Sequence, residues 1–267
     1  MDPRLSCLAC LDHEPPALFE AALWIAAEHD PTLSPEAALR ALHALQQQVD
    51  AGLPNLPPRE LAQPLLRRLS ELDFHEDEDN PPAPRAALLH QVLQRRRGQP
   101  LSLALIALEL ARRLGIPLQG VNFPGHFLLR VPGADHLLDP CGGRRLYTRD
   151  CRELLLRQFG PHIDLNAGHL LACDARAMLQ RLSRNLRQLH LQAQNALAAL
   201  KDAERVLQLG PQTLADHLAR ADLYHQLDCP QAERFDLQRA LLLCDDAAQR
   251  LQLGERLRRL HASPALH

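Results

Sequence analysis

Apolar positions recur at helical spacing through most of the chain, and the places where they stop doing so mark where the fold changes. In residues 16–28, Phe19, Leu23 and Ala26 share one helical face, with Trp24 close to that stripe. Ser34-Pro35-Glu36 is a helix start: the hydroxyl caps, proline suits the first helical position, and glutamate meets the positive end of the dipole. Leu39, Leu42, Leu45 and Val49 follow as one stripe, and residues 58–72 predict a third helix burying Leu61, Leu65, Leu69 and Leu72. Residues 73–84, acidic and then proline-rich, break the pattern and predict a solvated connection. A short helix over 86–93 leads to Arg95-Arg96-Arg97-Gly98. Leu101, Leu105, Leu108, Ala111 and Leu114 then mark a strongly apolar helix, ended by Gly115 and Ile116-Pro117.

Beyond Pro117 come strand signals. Segments 118–123, 126–131 and 136–139 read as strands, punctuated by Pro124-Gly125 and Pro132-Gly133. Helix followed by a small antiparallel sheet is an α+β unit. After Gly168 helices return. At an offset of 34, Val206-Leu207 and Leu209 fall on Ala240-Leu241 and Leu243, and 34 is the tetratricopeptide period. Ala221, Tyr224, Leu237 and Ala240 occupy the packing positions of one repeat and Ala199 and Pro211 those of the one before, while Arg187 and Glu233 depart from the pattern. Two degenerate repeats are fewer than the roughly three that stand alone, so these helices are expected to lean on the α+β core. The expected organisation is mostly helical α+β: a helical N-terminal region over 1–80, a core with a small antiparallel sheet over 81–175, and repeat-like helices over 176–267.

Composition sharpens this. Aromatics are only 3% of the chain while Leu, Ala and Arg dominate, which favours helix over sheet. A formal net charge of -2 supplies no field to draw in nucleic acid or an anionic membrane. No apolar run approaches the ~20 residues that span a bilayer, and the N-terminus has no signal-peptide pattern. Seven cysteines, odd in number and scattered, do not resemble a disulfide framework. A cytoplasmic protein without membrane or nucleic-acid partners is expected.

The chemistry-bearing segment runs Arg95-Arg96-Arg97-Gly98-Gln99-Pro100-Leu101-Ser102, then Arg112-Arg113-Leu114-Gly115-Ile116-Pro117. It continues through Gly120-Val121-Asn122-Phe123-Pro124-Gly125-His126-Phe127-Leu128 to Leu138-Asp139-Pro140. This order resembles the transglutaminase-like superfamily, a relative of papain-type folds, in which a cysteine begins a buried helix, a histidine begins the next strand and an aspartate sits on the strand after it. A helix N-terminus lowers a thiol pKa, histidine takes the proton, and the carboxylate orients the imidazole. More closely, the chain resembles the SirB-type bacterial family, named after proteins proposed to regulate invasion genes in enteric bacteria. That family joins N-terminal helices, a transglutaminase-like core and tetratricopeptide-like helices. Members usually carry Asn-Ser where this chain has Ala86-Ala87, and aromatic residues just before them that are missing here.

The resemblance places His126 and Asp139 at the superfamily's histidine and aspartate. At the nucleophile position the chain offers Pro100, Leu101 and Ser102, and no cysteine lies between Cys10 and Cys141. Ser102 reads either as an altered nucleophile or as a first-turn hydroxyl, and Cys141 as a relocated thiol or a small apolar filler. Cys7-x-x-Cys10 with His13 has metal-like or redox-like spacing but lacks a second pair. Arg95–Arg97 reads as a phosphate grip or, better, as a basic helix end pairing with the acidic residues 76–79. No cofactor or metal motif is present, so none is expected. Two functions follow: a non-catalytic, degenerate transglutaminase-like module that binds a protein or peptide, or an amide-bond hydrolase or acyltransferase using Ser102 or Cys141 with His126 and Asp139.

Overall fold

The structure, a computed structural model, describes residues 2–262, which form two compact units dividing between Leu182 and Ser183. The first opens with a helix that the apolar pattern does not announce, α1 (Pro3–Leu11). Asp2 caps it by accepting the Arg4 N–H at 2.9 Å, and Ser6, Cys7, Cys10 and Leu11 are its buried face. α1 packs on α2 (Leu18–His29), which buries Phe19, Leu23 and Ala26 as expected. α3 (Pro35–Asp50) starts as its sequence dictates, the Ser34 hydroxyl accepting the Ala37 N–H at 3.2 Å. Ala38, not Leu39, completes the buried stripe with Leu42, Leu45 and Val49, and Leu39 is half-buried.

The third helix is shorter than 58–72. Pro58–Glu60 forms a 3-10 turn, and α4 (Ala62–Glu71) follows, with Pro64 in a first turn whose N–H groups need no helical partner. Residues 73–84 are not merely a solvated connection. They contain β1 (His75–Glu76), which pairs in parallel with β2 (Arg97–Gly98) after α5 (Leu89–Arg95). The acidic loop and basic helix end do pair: Arg95 meets Asp77 at 2.6 Å and Asp79 at 3.2 Å, and Arg97 meets Asp73 at 3.0 Å.

The sheet is antiparallel in chain order: β3 (Gln119–Val121), β4 (Leu128–Arg130), β5 (Leu137–Leu138) and β6 (Arg145–Leu146). Val121, Leu128, Leu137 and Leu146, one from each strand, share a core with Phe123 and with Cys151 and Leu155 of α7 (Thr148–Phe159). α6 (Pro100–Arg113) packs against α2, α4, α5, β3 and β4. Surrounded on so many sides, it buries every residue from Leu101 to Ala107, and then Leu110 and Ala111. Leu108 and Leu114, expected on its buried stripe, are half-buried.

α8 (Ala175–Gln192) runs through the division. The second unit continues with α9 (Ala196–Leu209), α10 (Leu214–Gln226), α11 (Pro230–Leu242) and α12 (Ala247–Ala262), and successive members of these four pack on one another. Ala196 opens α9 and Pro230 opens α11, 34 positions apart (230 − 196), so the sequence period is a structural one. Ala199, Ala221, Leu237 and Ala240 are fully buried, while Tyr224 is half-buried. The same offset relates two buried carboxylates. Asp202 accepts from His190 at 2.7 Å and Arg205 at 2.7 Å, and Asp236 accepts from His217 at 2.8 Å and Arg220 at 2.7 Å.

Candidate functional site

The histidine is delivered by a turn. Pro124 fixes one central dihedral, Gly125 takes the left-handed one (φ +74°), and the His126 N–H donates to the Phe123 carbonyl at 3.1 Å. His126 therefore sits in a turn two residues ahead of β4, rather than opening the strand as expected. Asp139 follows β5 directly. Because β4 and β5 are antiparallel, with Leu129 opposite Leu138, both residues come to the same end of the sheet.

Beyond β5 the chain turns sharply through Gly142 (φ +87°) and Gly143 (φ +72°), and the Gly143 N–H closes the turn on the Asp139 carbonyl at 3.0 Å. The Asp139 carboxylate accepts the Cys141 N–H at 2.8 Å. Glu76 of β1 joins this neighbourhood: its carboxyl is raised by the low-dielectric surroundings and then by the charges of Asp139 and Glu78. Asp139 thus lies between a half-buried imidazole and a second carboxyl group.

His126 and Asp139 feel one another's charge, yet among the described residues no hydrogen bond joins them. Burial lowers the His126 pKa first and Arg181 lowers it further, while Asp139 raises it; the net effect favours the neutral ring. Arg181, on α8, donates to the Phe123 carbonyl at 2.8 Å, bonds Asn122, and lies 5.8 Å from the centre of the Phe127 ring. It braces the turn that carries His126. Arg181→Ala is expected to shift the His126 titration upward, and Asp139→Asn to shift it downward, in an NMR titration of the ring protons. A curve unmoved by both changes would show that the two charges do not reach the ring.

The nucleophile candidates are differently placed. Ser102 is fully buried in the first turn of α6, and its hydroxyl donates to the Ala87 carbonyl at 3.3 Å. Beside it the Gln99 N–H donates to the Ala86 carbonyl at 2.7 Å. Both bonds tie the helix start to the segment that precedes α5. Cys141 is beside Asp139, but burial, the charges of Asp139 and Glu76, and hydrogen bonding to Asp139 push its thiol up to about 12. The thiolate, which does the chemistry, is then scarce at neutral pH.

Cys7 and Cys10 are buried on α1, and burial followed by the charge of Glu20 raises the Cys10 thiol, which disfavours thiolate ligation of a metal. Arg181, which no sequence motif marks, and Glu76, expected in the acidic run that pairs with Arg95–Arg97, reach the site from distant segments. The Gly142-Gly143 pair was the available signal for the turn after Asp139.

The profile described as transglutaminase-like superfamily matches residues 36–184, and a tetratricopeptide repeat profile matches residues 186–258. A UPF0162 protein of Pseudomonas aeruginosa is 65% identical over 270 residues, covering 100% of both chains. One of Xylella fastidiosa is 33% identical over 249 residues, covering 90% of this chain and 89% of the relative. Protein SirB1 of Salmonella typhimurium is 29% identical over 155 residues, 57% of this chain and 58% of that one.

Proposed function

The chain belongs to the transglutaminase-like superfamily as a SirB-type member, and on that footing we propose that it is a non-catalytic protein-binding module in which the enzyme fold has become a scaffold. The observation that carries this reading is the state of the two nucleophile candidates. Ser102 is committed to a backbone carbonyl inside the protein, and the Cys141 thiol sits at about 12. Acyl transfer needs a nucleophile poised beside its base.

The repeat unit supplies the complementary argument. Stacked helical repeats present extended surfaces to polypeptides. In this unit Phe235 is 51% and Leu242 75% exposed, two apolar side chains seven positions apart on α11 that a partner could cover. No helix among the described residues is long and apolar enough to cross a membrane. All seven cysteines are outside disulfides, which supports placing the protein in the reducing cytoplasm.

A second reading, an amide-bond hydrolase or acyltransferase with an altered nucleophile, draws on His126, whose pKa is lowered chiefly by burial, at the same end of the sheet as Asp139. Crosslinking capture from cells that make the protein separates the two. Ser102→Ala, Cys141→Ala and His126→Ala are expected to retain the wild-type partners, while Phe235→Glu with Leu242→Glu loses them. Capture that disappears in Cys141→Ala and His126→Ala alike, with an acyl adduct on Cys141 in the wild type, would favour the enzyme.

A further inference from the structure

A cavity of about 360 Å³ opens in the first unit, away from His126. The 3-10 turn and α4 form one wall; β5, β6 and the turn from Val131 through Ala134 form the other. Its lining is apolar at Leu138, Val131 and Leu56, the last 41% exposed. Three arginines stand around it: Arg59 from the 3-10 turn, Arg67 from α4 and Arg145 from β6.

The state of these arginines is informative. Several arginines of the unit hold carboxylates, Arg95 and Arg113 among them, while others such as Arg40, Arg144 and Arg152 form no ion pair among the described residues, so what sets this groove apart is the grouping of three unpaired arginines around one concavity. Arg59, Arg67 and Arg145 are exposed and, among the described residues, form no ion pair. Arg145 only contributes at longer range to lowering the pKa of Asp135. Glu60 is the one carboxylate in the lining. Three cations from separate segments therefore converge on one concave, partly apolar surface, where a cleft focuses their potential.

We propose that this groove binds an acidic peptide segment of a partner protein, one in which carboxylates alternate with leucine-like side chains. The guanidinium fork matches a carboxylate in two parallel hydrogen bonds, and an apolar side chain between the acids packs on Val131 and Leu56, Leu138 beneath them being buried. Inorganic phosphate would leave that floor uncovered. A nucleic acid would need a wider basic face than a protein of net charge -2 offers. The inference rests on the protein-binding reading and adds a docking surface in the first unit, separate from Phe235 and Leu242 of α11, together with the chemistry of what it takes.

The test is fluorescence anisotropy with a labelled twelve-residue peptide of repeating Glu-Leu-Asp, in wild type and in the triple variant Arg59→Glu, Arg67→Glu and Arg145→Glu. All three positions are on the surface, and circular dichroism checks that the variant keeps its fold. The wild type should bind the peptide, and affinity should fall by about tenfold or more in the triple variant and on raising salt from 50 to about 300 mM. Replacing the peptide's leucines by serine, or Leu56→Ser in the protein, should also weaken it. The inference is overturned if the peptide does not bind at about 1 mM protein (the weak limit of specific recognition), or binds the triple variant equally. It is equally overturned if a Lys-Leu-Lys peptide, a single-stranded DNA 12-mer or inorganic phosphate binds as well or better. Cellular partners still captured by the triple variant would refute this groove and leave the protein-binding reading standing. Partners captured by no form of the protein would refute that reading itself.

Discussion

Asp236→Ala is expected to destabilise the second unit by about 3–5 kcal/mol, the usual consequence of removing one member of a buried ion pair. Asp236 on α11 is fully buried and holds two neighbours at once. His217 meets one carboxylate oxygen at 2.8 Å, and Arg220 donates to both at 2.7 and 2.8 Å. The other ring nitrogen of His217 faces the Gln212 side-chain oxygen at 3.1 Å, so the imidazole is held on both sides. Deleting the carboxylate strands a guanidinium and an imidazole against the buried contact of α10 with α11. Because the chain has two units, a single melting curve would mix their transitions, and hydrogen exchange of the α10 and α11 amides is the cleaner measurement. Glu153→Ala, which removes a solvent-exposed partner of Arg149 and Arg157, should cost no more than about 1 kcal/mol. Equal exchange in Asp236→Ala and wild type would mean that the network adds nothing to the stability of the repeat.

Leu105→Ala should cost the first unit a comparable amount, about 2–5 kcal/mol. Leu105 is 1% exposed in the middle of α6, the helix touched by α2, α4, α5 and the sheet. A cavity there opens between elements that already close on one another, so relaxation can recover little of the lost contact. Leu108→Ala, one turn on but half-buried, should cost distinctly less. Urea unfolding followed by exchange of α6 amides would separate them, and equal costs would contradict the placement of α6 at the centre of the unit.

The contrast between these two leucines illustrates what was legible in the sequence. Periodicity finds helices and their ends because it reflects neighbours within one or two turns. It therefore located α6, its stop at Gly115 and the 34-residue spacing of α9 and α11. Which face is buried depends on what packs there. α6 is enclosed on nearly all sides, so a single stripe through Leu108 and Leu114 misjudged it, and Ala38 displaced Leu39 on α3 for the same reason. α1 escaped notice because its buried face is built from Ser6, Cys7, Cys10 and Leu11, a mixture with little apolar contrast. The two-residue pairing of β1 with β2 joins segments with α5 between them, and nothing local in His75-Glu76 marks a strand.

At the candidate site the His126 and Asp139 positions were legible through motif order, and the Pro124-Gly125 turn through its chemistry. The direction of the Ser102 hydroxyl was not, since it depends on where the Ala87 carbonyl lies. The approach of Arg181 and Glu76 to the site was equally hidden, because each reaches the His126–Asp139 neighbourhood from a segment more than forty residues away in sequence.

Whether the transglutaminase-like core has lost acyl transfer is decided by a combined labelling and turnover assay. Purified protein at pH 7.5 would be treated with an electrophilic thiol probe and the labelled cysteines mapped, while the same preparation is assayed for amine incorporation into glutamine peptides. The account predicts no incorporation, first labelling at the exposed Cys229, and slow labelling of Cys141 that accelerates with pH without levelling off below about 12. Rapid labelling of Cys141 that is lost in His126→Ala, together with turnover abolished by Cys141→Ala and by His126→Ala, would contradict it.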